Sequence, residues 1–176
     1  MLLSFSPALR QQAWLALTPM PRSLLPVPWR NWLLDKGSLT LNLKNLAPGR
    51  FSVKVLNSLF TRASLSEANA LSIPPRQMVY VREVALCIDE KPVVLARSVI
   101  PRTTLTGAEQ QLLLLKNKPL GEYLFTHKRM TRSNVEVKQG HADQRPVWAR
   151  RSIFRLNNKP LLVSEYFLAE LLHVKK

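Results

Sequence analysis

Cysteine is nearly absent from this chain. Cys87 is the only one among 176 residues. No internal disulfide can form, and a cytoplasmic location is the simplest reading. Glycine is scarce too, at five residues. None of the five opens a phosphate-cradling loop, which excludes the common nucleotide-binding signatures. Long apolar runs are missing: nothing approaches the ~20 residues that a membrane helix needs. Met1 to Pro28 leans apolar, but Pro7, Arg10, Pro19, Pro21 and Arg22 interrupt it, and it holds no signal-peptide core or cleavage site. His127, His141 and His173 stand far apart, with no His or Cys at ligand spacing, so no metal site is expected. Ser164 adjoins Glu165, but no His follows at a spacing that suggests a triad. Chemistry without metal or organic cofactor is the expectation.

Negative charge is the other shortage. Asp and Glu number 11 against 26 Lys and Arg, a formal charge of +15. Such a balance attracts anions, whether nucleic acid, a membrane surface or small carboxylates. The basic residues are scattered, densest at Arg129-Met130-Thr131-Arg132 and at Arg145 with Arg150-Arg151. No RNP, zinc-finger or helix-turn-helix signature accompanies them. Most are read as solvated surface, and a basic nucleic-acid-binding protein stays an alternative.

Two charges are out of place. Arg82 lies inside Met78–Ile88 and Glu165 inside Leu161–Leu168, both β-branched and aromatic runs that predict strands. With period-two alternation, Arg82 shares a face with Met78, Tyr80, Val84, Leu86 and Ile88, and Glu165 with Leu161, Val163 and Phe167. Cys87 falls on the face opposite Arg82, as a small core residue. A buried charge costs several kcal/mol unless it is paired or bound to something polar. Two readings follow: the two charges pair with each other, or they line a pocket for a polar ligand.

The length suits one domain, residues 1–176, with a single core. Ser6-Pro7 starts a helix to about Leu17, followed by a Pro-rich connector, so 1–27 forms an N-terminal appendage. Helices are predicted from Trp29 to Leu34, from Ser38 through Leu46, from Thr106 to about Lys116 and from Pro119 through Phe125. Strands are predicted at 51–60, 78–88, 93–100, 128–138, 147–156 and 160–168. Residues 61–76, with Pro74-Pro75, are predicted to be a long loop. The chain also echoes itself. Tyr80, Arg82, Lys91, Pro92 and Arg97 match Trp148, Arg150, Lys159, Pro160 and Glu165, every pair 68 residues apart. Upstream, Lys36 to Thr40 matches Asn117 to Gly121 at a spacing of 81. A duplicated helix-helix-three-strand unit follows. The predicted class is α+β, a six-stranded antiparallel sheet with helices on one face.

Four segments then become recognisable: Tyr80-Val81-Arg82-Glu83-Val84, Ala96 to Pro101, Pro119 to Phe125, and Lys159 to Leu168. Together with Trp29 to Thr40 they resemble, in order and spacing, the chorismate lyase family over about residues 28–168. The resemblance implies conversion of chorismate to 4-hydroxybenzoate and pyruvate, an early step toward ubiquinone, with no cofactor. It implies an enclosed site beneath two helical flaps, with substrate contacts at Leu39, Arg82, Leu120 and Glu165. Many members carry Met where this chain has Leu39, a nearly volume-conserving exchange. Arg82 would capture a carboxylate and Glu165 would serve the ring hydroxyl as acid or base. Arg97 is read as a second inward-facing cation without an assigned role. A monomeric, cytoplasmic enzyme with a small-molecule substrate, no nucleic acid and no stable membrane insertion is expected. The other alternative is an effector-binding module of the transcription-regulator type, which shares the fold.

Overall fold

A computed structural model describes residues 14–16, 22–142 and 145–175. Its strands are β1 (Leu15–Ala16), β2 (Phe51–Arg62), β3 (Met78–Ile88), β4 (Lys91–Pro101), β5 (Thr131–Arg132), β6 (Glu136–Ala142), β7 (Arg145–Leu156) and β8 (Lys159–Phe167). Every pairing is antiparallel, in the order β1-β6-β7-β8-β4-β3-β2, with β5 against β7. The helices are α1 (Val27–Leu34), α2 (Leu39–Leu46), α3 (Leu65–Leu71) and α4 (Leu120–Thr126), with 3-10 segments at Arg22–Leu24, Gly107–Leu114 and Ala169–His173. None of the described helices is long and apolar enough to cross a membrane.

Turn chemistry sets the two central hairpins. Asp89 and Glu90 take φ of 49° and 63°, and Asn157 and Asn158 take 49° and 66°. Two consecutive left-handed residues close a two-residue hairpin whose twist matches its strands. The repeated turns therefore sit at equivalent points of the two halves, as the 68-residue echo requires.

Several expectations need correction. The six strands of seven or more residues match the predicted six, but β1 and β5 add two short ones. The strand expected at 128–138 breaks at a turn, in which Met130 N–H donates to His127 O, and resumes as β5 and β6. The helix expected from Ser6 to Leu17 lies mostly outside the described residues. Its end, Leu15–Ala16, is instead a strand paired with Val137 and Glu136. The 106–116 helix is a 3-10 segment.

Residues 61–76 hold α3, not only loop. Its start is a capping box: Ser64 Oγ accepts from Glu67 N–H and the Glu67 carboxylate accepts from Ser64 N–H. Helices consequently cover both faces of the sheet. α1, α2, α4 and the 107–114 segment lie over Tyr80, Val84, Leu86 and their neighbours. α3 lies on the other face, where Ala68 and Leu71 pack on Val79, Val81, Val99 and Leu162.

A β-bulge decides where Arg97 points. Leu86 pairs with Val94 and Cys87 with Pro92, which leaves Val93 as an extra residue in β4. One extra residue inverts the face of everything beyond it. The β7–β8 hairpin has no such break, so Glu165 stays opposite Arg150. In β4 it is Ser98 that lies opposite Arg82, and Arg97 turns to the α3 face. Arg97 is therefore not a second cation beside Arg82. Its Nε donates to Glu67 at 2.7 Å and its Nη1 to Glu83 at 2.5 Å.

This buried network has a pH signature. Burial would raise the Glu67 carboxyl, but the bonds from Arg97 and Ser64 outweigh it and hold the group below its ordinary value. A depressed folded-state value gives stability that is present above the unfolded value of about 4.3 and is lost as the pH falls through the folded one. Glu67→Gln should cost about 3 kcal/mol at pH 7, read from denaturant melts. The gap from the parent should close below about pH 4. A gap that stays constant down to pH 3 would contradict this.

Candidate active site

α2 and α4 begin at matched positions of the internal echo and roof the same cavity. Ser38 caps α2, its Oγ accepting from Leu41 N–H. Pro119 occupies the corresponding position before α4 and presets its first turn. Leu39 and Leu120 are thus the first residues of their helices, and both are buried against the sheet. The two helices nearly touch. A Cβ built on Gly121 would lie 2.8 Å from Thr40 Oγ1, so only glycine permits this approach. Outside, Lys44 and Glu122 form an exposed ion pair that bridges the helices.

Beneath the roof lies a cavity whose atom-free space, counting the part open to solvent, is about 550 Å³. Leu39, Leu120, Leu124 and Phe125 line it from above; Val84, Leu86, Phe154 and Val163 line it from the sheet. Four ionisable groups enter this apolar cage: Arg82, Arg132, Arg150 and Glu165. Three cations and one anion leave it with two net positive charges.

Arg82 is 3% exposed. Its Nη2 donates to Lys116 O at 2.7 Å and to Lys118 O at 3.0 Å, in the loop that leads into α4. Among the described residues, Nε and Nη1 make no further hydrogen bond and no carboxylate pairs with this side chain. Burial pushes the guanidinium down from its ordinary value, with a small opposing effect of Tyr80. An ionised donor desolvated without a counter-ion is poised for an anionic ligand.

Glu165 has a different partner from the one considered in the sequence. Its Oε2 accepts from Arg150 Nε at 2.5 Å. Arg150 also donates from Nη1 to Trp32 O at 2.6 Å and Asp35 O at 2.7 Å, which ties the end of α1 to the site. Arg132 Nε donates to Ser152 Oγ at 3.0 Å and Nη1 to Lys36 O at 3.1 Å. Its guanidinium stacks over Phe154 at 5.1 Å. Burial and then the charge of Arg150 push it down, partly offset by Glu165 and Asp35.

The strand order spreads these groups in a line. Arg82 stands on β3, Glu165 on β8, Arg150 on β7 and Arg132 on β5. β3 and β8 are separated by one strand, so about 9.6 Å lies between their axes. Leu39, Arg82, Leu120 and Glu165 are all brought to this one cavity. Arg97 is not. Arg132 and Arg150 were missed, although Arg150 was in view as the echo partner of Arg82, a charge inside a strand. Among the described residues no group of three His, Cys, Asp or Glu is assembled for a metal ion.

The flap contact makes a prediction. Gly121→Ala should force Thr40 aside and hold α2 and α4 apart. Because lid closure completes such sites, kcat/KM should fall about tenfold or more with little change in melting temperature. Thr40→Ala in the same chain should restore most of it by removing the clashing hydroxyl. Unchanged kinetics in Gly121→Ala would remove this contact from the account.

A family model described as chorismate lyase matches residues 8–176. The chain is 42% identical over 146 residues to the "Probable chorismate pyruvate-lyase" of Marinobacter nauticus, covering 82% of this chain and 78% of that protein. It is 37% identical over 162 residues to the chorismate pyruvate-lyase of Erwinia tasmaniensis, covering 92% and 88%. Among solved structures, the C-terminal domain of the histidine utilization repressor of Pseudomonas syringae superposes with a TM-score of 0.55. It is 16% identical, and the match covers 69% of this chain and 93% of that one. At that identity the likeness speaks for a shared fold.

Proposed function

The chain belongs to the chorismate lyase family, and on that premise we propose that it cleaves chorismate to 4-hydroxybenzoate and pyruvate, the first committed step toward ubiquinone. The observation that carries this is the charge of the cavity: two net positive charges enclosed in an apolar cage. Chorismate is a dianion with a ring carboxylate at one end and, at the other, a hydroxyl beside an enolpyruvyl ether with its own carboxylate. The line of side chains matches this layout. Arg82 receives the ring carboxylate on Nε and Nη1. Two strands away, Glu165 meets the ring hydroxyl through Oε1, the oxygen that Arg150 Nε does not hold. Arg150 and Arg132, beyond Glu165, face the enolpyruvyl carboxylate.

Aromatisation of the ring drives the reaction. The ether C–O bond breaks, the hydrogen on the neighbouring hydroxyl-bearing carbon leaves, and the enolpyruvyl methylene gains a proton to become the methyl of pyruvate. In a water-poor cage the fixed guanidiniums stabilise the charge that moves onto the departing enolpyruvate. Glu165, held in place by Arg150, orients the hydroxyl and takes part in the proton transfer. Leu39 and Leu120 exclude water above the ring.

Incubation of the purified protein with chorismate tests the proposal. Equimolar 4-hydroxybenzoate and pyruvate are expected, accumulating in proportion to enzyme. Chorismate recovered intact, or converted to an isomer without release of pyruvate, would overturn it.

A further inference from the structure

One end of the sheet carries a group of exposed arginines. β2 ends at Arg62 opposite the first residue of β3, Met78. β4 ends at Pro101 opposite Val79. β7 ends near Arg155, which lies opposite both Pro160 of β8 and Thr131 of β5. This one end of the sheet therefore carries Arg62, Arg76, Arg102, Arg129 and Arg155, all exposed. None of the five takes part in an ion pair among the described residues. The carboxylates that come near this end, Glu67 and Glu109, are buried and neutralised by Arg97 and Lys159. Asp89 and Glu90 lie at the opposite end, against Arg50 and Lys54.

Apolar side chains stand among these arginines. Phe60 is 47% exposed, Met78 40% and Leu65 65%. The Arg102 guanidinium lies 5.9 Å from the centre of the Phe60 ring. Solvated basic residues alone need no explanation. Large apolar side chains interleaved with unpaired arginines are the composition of a surface that enters the boundary of an anionic bilayer. Nucleic acid asks for the charge but not for the aliphatic residues, and stacking on one aromatic ring gives little hold on a duplex.

We propose that this end of the sheet docks reversibly on anionic lipid membranes. Arg62, Arg76 and Arg102 meet the headgroups, and Phe60, Met78 and Leu65 insert at the acyl boundary. The docked molecule remains peripheral, and the proposal does not depend on the reaction assigned above.

Co-sedimentation of the full chain with vesicles tests it. Vesicles of phosphatidylglycerol and phosphatidylcholine should bind the protein, and pure phosphatidylcholine should not. The triple variant Arg62→Gln, Arg76→Gln, Arg102→Gln should lose about a hundredfold in partitioning. A control triple variant at the opposite end, Lys54→Gln, Lys91→Gln, Lys175→Gln, loses the same formal charge and should stay within about threefold of the parent. Phe60→Ser should abolish the binding that persists at about 0.3 M salt, where headgroup attraction is screened. Both triple variants should keep the parent melting temperature. Equal loss in the two triple variants would show a diffuse charge effect and overturn the proposal. So would absence of binding at low salt, or displacement from vesicles by a short DNA duplex that needs the same arginines.

Discussion

Arg82→Ala is expected to keep its fold and lose its ligand. In the parent, no carboxylate among the described residues pairs with Arg82, so its removal strands no buried charge there. What is lost within the protein is the pair of bonds to the carbonyls of Lys116 and Lys118. Loss of a buried charged contact to a ligand costs roughly 2–5 kcal/mol, or about 1.5 to 3.5 decades in affinity. The Michaelis constant for chorismate and the dissociation constant for 4-hydroxybenzoate should both rise by that factor. Arg82→Lys should recover only part. A lysine ammonium keeps the charge but lacks the planar spread of donors that holds two carbonyls and still reaches a carboxylate. Melting temperature and product affinity, measured on the same variant, separate binding from structure. A variant that melts far below the parent yet binds 4-hydroxybenzoate normally would make Arg82 a structural residue only.

The second large effect is at Glu165, and here the structure changes which variant is informative. Glu165→Ala leaves Arg150, 1% exposed, without its carboxylate. Removing one partner of a buried pair costs about 3–5 kcal/mol. The alanine variant should therefore lose both stability and turnover. Glu165→Gln keeps the shape and one acceptor oxygen for Arg150, so it should melt closer to the parent. Its turnover should still fall about 10²- to 10⁴-fold, the usual contribution of a positioned proton-transfer group. Near-parental turnover in Glu165→Gln would leave Glu165 as an anchor for Arg150 and nothing more.

The parts of this molecule that were legible are those with a local physical signal. The breaks between predicted strands at 89–92 and 157–159 mark the two hairpins, where Asp89, Asn157 and Asn158 are residue types that tolerate the left-handed backbone found there. Arg82 and Glu165 stood out because a charge inside an apolar strand pattern demands a partner. Leu39 and Leu120 were paired by the echo before their helices were seen to share a roof. The failures have physical causes too. Val93 is one apolar residue among several, and nothing local marks it as the bulge that turns Arg97 away from the cavity. The echo aligned Arg97 with Glu165 in sequence, but register, not spacing, fixes the face. α3 carries the Ser-x-x-Glu signature of a capping box, but Pro74-Pro75 in the same segment is the stronger local signal and points to a loop. Glu165 bonds to Arg150 because β7 and β8 place them opposite each other, while Arg82 is a full strand farther off.

The most direct test of the account is the position of the product in a crystal structure. 4-Hydroxybenzoate should lie in the cavity beneath Leu39 and Leu120, with its carboxylate on Nε and Nη1 of Arg82 and its hydroxyl on Oε1 of Glu165. Product bound outside this cavity, or bound within it with the carboxylate toward Arg150 and the hydroxyl toward Arg82, would contradict it.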